Sequence, residues 1–259
     1  MTEEASGAVA PMPYAWPRRR TFLTAEWRHL VMLNYAVDPE LLAPFVPAGV
    51  ELDDFDGTTY ASIVGFRFLR TRVWGMAIPG HRDFDEVNLR FYVRRRAPDG
   101  VRRGVVFVRE LVPRRAIAWA ARVLYNEPYS VAPLASRIEM RESPHAPPRS
   151  AEYAWRWRGR PCRAAIEPAD VARPLTPGSL EEFIAEHYWG YTRQRDGGTK
   201  EYEVAHPSWH VAAALTATLE ADVAALYGPQ FAAALSAPPA SAFWADGSAV
   251  RVYPGVRLG

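Results

Sequence analysis

From Glu86 to Val93 the chain alternates without a break: Val87, Leu89, Phe91 and Val93 are apolar, while Glu86, Asn88, Arg90 and Tyr92 are polar. A period of two puts successive side chains on opposite faces of a β-strand and fits no helix face. One face belongs to a core. The other either meets water, as is ordinary in an antiparallel sheet, or lines the inside of a closed barrel. In a barrel, this carboxylate, amide, guanidinium and phenol would make a polar binding wall.

Similar segments recur along the chain. Strands are expected over Tyr60 to Leu69, Glu86 to Arg95, Gly104 to Leu111, Ser136 to Met140, Glu152 to Trp157 and Arg163 to Glu167, with Asp99-Gly100 and Arg158-Gly159 as hairpin turns. A further hairpin is expected around Asp246-Gly247, between Ala242 to Trp244 and Val250 to Tyr253. Helices are fewer. Asp38 caps a short one that begins at Pro39 and ends by Pro44 and Pro47. Arg114 to Tyr125 sets Ile117, Ala120, Ala121 and Leu124 on one face, and Ser179 to His187 opens with a serine cap and Glu182 three residues on. From Val211 to Leu226 the apolar spacing suits a helix while the surrounding pattern suits a strand, so the stretch is open to about Thr218 and helical after it.

Residues 1–20, with prolines at 11, 13 and 17 and no periodicity, read as a flexible lead-in, and 21–259 as a single domain. Of the 259 residues 49% are hydrophobic, enough for one substantial core. A formal charge of +2 is too small for a nucleic-acid surface, and the arginine clusters fall at strand ends, turns and a helix start, where solvated structural roles suffice. Cys162 is the one cysteine, which excludes an internal disulfide and suits a reducing compartment. No apolar run is long enough for a membrane helix, so the expectation is a soluble cytoplasmic protein without membrane contact.

Five stretches carry a resemblance. Ala121 to Ser130 reads without gaps against the acetoacetate decarboxylase pattern, with Arg122 at its arginine, Pro128 at its proline and Tyr129 where those enzymes keep their Schiff-base lysine. Trp27 to Pro47 resembles their strand-then-helix entry, with Arg28 matching an arginine, and Glu86 in Phe84 to Leu89 matches their aromatic-x-Glu motif. Asp56-Gly57 before Tyr60, Glu86 with Asn88 to Val93, Pro128-Tyr129 and His206-Pro207-Ser208-Trp209 together resemble the YqjF-like bacterial proteins, a branch of the same superfamily. The resemblance runs in order over roughly residues 22 to 258. It implies an α+β, strand-dominated fold: a conical antiparallel β-barrel with a few flanking helices. It also turns the polar face of Glu86 to Tyr92 towards an active site.

A fold does not transfer a reaction. The chain has one lysine, Lys200, in the polar double-glycine turn Arg195 to Glu201, and a phenol at 129 cannot form an imine. Schiff-base decarboxylation is therefore not expected. The resemblance leaves Glu86 and Tyr129 as an acid/base pair for a lyase, tautomerase or cyclase step. Arg28, Arg90 and Arg122 become holders of a small anionic carboxylate or keto ligand, with Tyr60, Asn88, His206 and Trp209 around it. A cation near Tyr129 would favour its phenolate. The plainer alternative has Arg122 in a structural ion pair and Tyr129 packed with a bonded hydroxyl. A noncatalytic ligand-binding or sensing barrel is the competing function. His206 and His210 have two-ligand spacing but no third ligand at a diagnostic distance, so neither a metal nor a cofactor is expected. Assembly as a homo-oligomer stays open.

Overall fold

The structure, a computed structural model, describes residues 19–143 and 146–258. Residues 1–18 of the expected lead-in lie outside the described residues.

The chain opens with β1 (Leu23–Ala36) and the short α1 (Pro39–Leu42), where the Asp38 carboxylate accepts the Glu40 amide and proline takes the first turn. β2 (Glu51–Leu52) leads to three long strands, β3 (Tyr60–Val73), β4 (Phe84–Ala97) and β5 (Gly100–Val112), the last two joined at Asp99-Gly100. Then come α2 (Arg115–Leu124), β6 (Tyr129–Val131) and the meander β7 (Leu134–Glu139), β8 (Ser150–Trp157) and β9 (Arg160–Pro168). β10 (Arg173–Pro174), α3 (Leu180–Ala185), β11 (Trp189–Arg193) and β12 (Thr199–Ala205) follow. The chain closes with β13 (His210–Glu220), α4 (Val223–Tyr227), α5 (Ala232–Ser236), β14 (Ser241–Val252) and β15 (Val256–Arg257).

Hydrogen bonding runs β12-β11-β5-β4-β3-β1-β14, and β14 returns to β12 through Val204↔Val252 and Ala205↔Arg251, closing a barrel of seven strands. Neighbours are antiparallel except at one join, where Trp189 and Gly190 run parallel to Gly104 and Val105. From the other part of β14 the ladder continues to β13, β9, β8 and β7, a second sheet packed on the outside of the barrel.

This arrangement decides what the alternation of β4 means. Val87, Leu89, Phe91 and Val93 point outward into a core shared with Tyr153, Trp155 and Ile166 of the second sheet. Tyr92 instead points inward and packs with Leu30, Val64, Phe66 and Phe183 inside the barrel. Both faces are buried, so the polar residues between Glu86 and Tyr92 mark the barrel interior and not solvent. Gly65 of β3 permits the close approach of the second sheet, since a Cβ there would stand 2.6 Å from the Tyr153 ring. Tyr153 in turn donates to the His29 carbonyl at 2.8 Å.

Two local expectations change. No hairpin forms at Asp246-Gly247, because β14 runs unbroken through it. Gly247, at φ +78°, pairs with Arg28 of β1, and a Cβ there would stand 2.0 Å from the Trp27 carbonyl, so the glycine serves close strand packing; His29, at φ 55°, lies where β1 shifts register against β3. Val211 to Glu220 is strand throughout, and the helix starts only at Val223 behind the Asp222 cap. Pairing of Thr216 to Glu220 with β9 supplies a ladder that outweighs the helical spacing. None of the described helices is long and apolar enough to cross a membrane.

Candidate active site

β4 sets three polar side chains in a row on its inward face: Glu86, Asn88 and Arg90, respectively 2%, 1% and 8% exposed. The ladder then adds others. Asn88 lies opposite Glu110 of β5, and Glu110 in turn lies beside Tyr129, because the short parallel strand β6 pairs with the end of β5. Asn126 makes that approach possible. At φ 60° just past the end of α2 it turns the chain back, the left-handed position that asparagine tolerates. Glu127 follows at once and is buried, meeting Thr192 of β11 and Tyr202 of β12.

Two phenol–carboxylate pairs result. Tyr129 donates to Glu86 Oε2 at 2.9 Å while Asn88 Nδ2 donates to Glu86 Oε1 at 3.0 Å. Tyr202 donates to Glu127 Oε1 at 2.7 Å, and the Thr192 hydroxyl donates to the same oxygen. Glu110 lies between the pairs with its Oε2 unbonded, and Asn88 Oδ1 and Arg90 Nε likewise make no hydrogen bond to the protein. Each such buried atom costs roughly 1–3 kcal/mol unless something else satisfies it.

Three carboxyls in one low-dielectric space cannot all ionise easily. Burial, with Glu127 nearby, pushes Glu86 up to about 7 against the hydrogen bonds of Asn88 and Tyr129. Burial raises Glu127 to about 7 as well, opposed by Thr192, Tyr202 and the charge of Lys200. Glu110 rises well above the usual carboxylate range through burial and both neighbouring carboxyls. Tyr129 is also pushed well above the usual phenol value, by burial and by Glu110 and Glu86. Its neighbours are therefore acids, and its phenolate is disfavoured. The cation expected to favour that phenolate, Arg122, is exposed and donates through Nε to the Tyr129 backbone carbonyl at 2.7 Å.

These polar groups line a cavity of about 270 Å³ whose other walls are mostly apolar. Trp27, Phe66, Phe68 and Phe84 touch ring to ring along one wall, and Ile117, Ala120, Ala121 and Leu124 of α2 cover another.

Of the residues singled out in the sequence, Glu86, Asn88, Arg90 and Tyr129 line the cavity. Arg28 does not. It sits partly exposed with Nε on Glu26 at 3.2 Å and Nη1 on the Gly247 carbonyl. Tyr60 packs beside Phe183 at a ring distance of 6.4 Å, and Trp209 donates to Ser248 at 2.9 Å. His206 stacks on Trp209 at 4.3 Å, and burial lowers it to about 4, so it is neutral at pH 7. Tyr60, His206 and Trp209 belong to the packed interior next to the cavity. Among the described residues no three His, Cys, Asp or Glu side chains are placed so that they could hold a metal ion. Glu110, Glu127 and Tyr202 were missed. A glutamate on a strand, beside Arg109 in the otherwise apolar stretch Val105 to Val112, was the available signal for Glu110, whereas Tyr202 gave none.

With the geometry in place, comparison with known proteins adds kinship. The pattern of DUF2071, described as an uncharacterised conserved protein, matches residues 24–249. The chain belongs to the DUF2071 family. Bacillus subtilis YqjF, an uncharacterised protein, is 26% identical over 195 residues, covering 75% of this chain and 74% of YqjF. Among solved structures, the enduracididine biosynthesis enzyme MppR complexed with pyruvate superposes with a TM-score of 0.66 at 14% identity, over 94% of this chain and 92% of MppR. Acetoacetate decarboxylase from Legionella pneumophila superposes with a TM-score of 0.63 at 13% identity, over 100% and 98% of the two chains. At such identities the likeness is one of fold: this DUF2071 chain has the acetoacetate decarboxylase-like barrel.

Proposed function

We propose that this DUF2071 protein takes a small carbonyl compound into the barrel and moves a proton on it with Glu86 and Tyr129, without a lysine imine. The observation that carries the reading is the Tyr129–Glu86 hydrogen bond, at 2.9 Å, in a cavity where burial brings Glu86 to about 7. A carboxylate in that range is a base at neutral pH and remains able to return the proton. As carboxylate, Glu86 takes the proton from the carbon next to the carbonyl. The C–H electron pair moves into the new C=C bond, and the carbonyl oxygen gathers charge beside a neutral phenol that can donate to it. Return of the proton to carbon or oxygen completes a tautomerisation, and no oxidant is needed. Arg90, with its free Nε, would hold an acid group on the ligand, in keeping with a small anionic keto acid. Lys200 takes no part in this scheme, since its Nζ donates to the Leu124 carbonyl. A cytoplasmic location fits the single, buried Cys162.

A second reading, a noncatalytic ligand-binding barrel, draws support from one feature: both phenols are already bonded to carboxyls within the protein. Proton exchange separates the two. In deuterated buffer the wild type should speed loss of the α-proton signal of 2-oxo acids, and Glu86→Gln should lose at least about a hundredfold of that rate, the scale of general acid/base catalysis. Ligand binding without any acceleration of exchange would establish the noncatalytic barrel.

A further inference from the structure

The polar groups described above are few beside the apolar residues of the cavity wall. We infer that the ligand of this site carries a short hydrocarbon body behind its oxygenated head, a keto acid of about five or six carbons or a methyl ketone of about seven or eight in preference to a three-carbon keto acid. The inference rests on the proposed reading of the head-group end and extends it to the remainder of the ligand.

Three observations support it. The volume of about 270 Å³ is room for about nine groups the size of a water molecule, each occupying roughly 30 Å³. A three-carbon keto acid leaves about a third of that unfilled. The wall running on from Glu86, whose cross-strand neighbour is Phe66, is aromatic and continuous: Phe68 stacks on Phe84 at 4.5 Å, Phe66 lies 5.2 Å from Phe68, and Trp27 lies 5.2 Å from Phe66. Such a surface gains by covering with carbon and has little to offer a second polar group. The entrance is apolar too. Ile78, in the connection from β3 to β4, and Leu124, at the end of α2, line the cavity yet are 45% and 47% exposed, so the opening lies between those two segments. A chain entering there would pass apolar side chains before its head met Glu86 and Arg90.

The test is calorimetric titration of the full chain with two series, 2-oxo acids and methyl ketones, from three to ten carbons. Affinity should rise about fourfold per added methylene until the cavity is full, near eight or nine non-hydrogen atoms, in at least one series. Ala121→Leu, which fills space from the covering helix without disturbing the barrel wall, should bring the plateau in by one or two carbons. Glu86→Gln should keep the length dependence while losing proton exchange. Loss of exchange chemistry with the slope intact therefore concerns the proposed reaction alone. Absence of slope in both series, whether through flat affinity or no binding at any length, overturns the apolar ligand body. A plateau unmoved by Ala121→Leu places the chain elsewhere and overturns it equally.

Discussion

Tyr129 and Glu86, 43 residues apart in sequence, meet phenol to carboxylate at 2.9 Å because a three-residue parallel strand lays Tyr129 along the end of β5 while β4 carries Glu86 on its inward face. The donated hydrogen bond stabilises the ionised form of Glu86 against a larger desolvation effect. Tyr129→Phe should therefore raise the titration midpoint of Glu86 further above about 7, followed by carboxyl-carbon NMR. An unchanged or lower midpoint would show that the bond does not bias the carboxyl.

The buried carboxyls give stability an unusual pH dependence. For Glu86 and Glu127 the folded value, about 7, lies above the ordinary 4.5, so their contribution is fully present below about pH 4.5 and is lost as pH rises through about 7. His187 and His206, lowered to about 4 by burial, act in the opposite direction: their contribution is present above about pH 6.5 and lost as pH falls through about 4. Glu127→Gln keeps the oxygen that Thr192 and Tyr202 donate to. At pH 5 it should match the wild type in denaturant unfolding. By pH 8.5 it should be more stable by on the order of 2–3 kcal/mol. A gap that does not grow with pH would refute a buried charge at Glu127.

Arg90 and Arg122 should separate cleanly. Arg122→Ala removes an exposed link to the Tyr129 backbone and should cost about 0.5–1.5 kcal/mol of stability with keto-acid affinity nearly unchanged. Arg90→Ala should weaken keto acids at least tenfold and leave methyl ketones alone, since only the acid has a carboxylate to lose. Thermal shift with both ligand series reads both variants, and a reversed ranking would return the anion-holding role to Arg122.

Gly190 of β11 lets the Tyr202 ring lie flat against the backbone, because a Cβ there would fall 2.1 Å from that ring. Gly190→Ala should destabilise the fold by at least about 2 kcal/mol, an overpacking cost, with Tyr202 pushed off Glu127. Denaturant melts measure the first effect. A tolerated alanine would mean that the ring can move without loss.

Acetoacetate followed by borohydride should leave the mass of the protein unchanged. Lys200, the one lysine, projects from β12 onto the Leu124 carbonyl and the Tyr125 ring and does not line the cavity. A stable adduct at residue 200 would reinstate imine chemistry.

The long strands were legible because period-two patterning and Asp-Gly or Arg-Gly turns are local signals, and β4, β5, β8 and β9 formed where those signals lay. The family resemblance carried closure of the barrel, which no local signal encodes. Where local chemistry misled, a partner strand was the cause: Asp246-Gly247 stayed extended in its pairing with β1, and Val211 to Glu220 stayed extended against β14 and β9.

The sequence by itself determined which residues could share a face. Glu86, Asn88, Arg90 and Tyr92 alternate with Val87, Leu89, Phe91 and Val93 whatever the rest of the chain does, since side-chain direction follows from the pleat. Only the tertiary structure decided which face would be enclosed and what would stand opposite. Closure of β14 onto β12 turned the polar row into an interior wall, and strand register brought Glu110, the neighbours Glu127 and Tyr129, and Tyr202 to it from separate places in the chain. Register is set by the summed packing of both sheets, a property of the whole molecule, and the proton affinities of those carboxyls follow from the burial it creates.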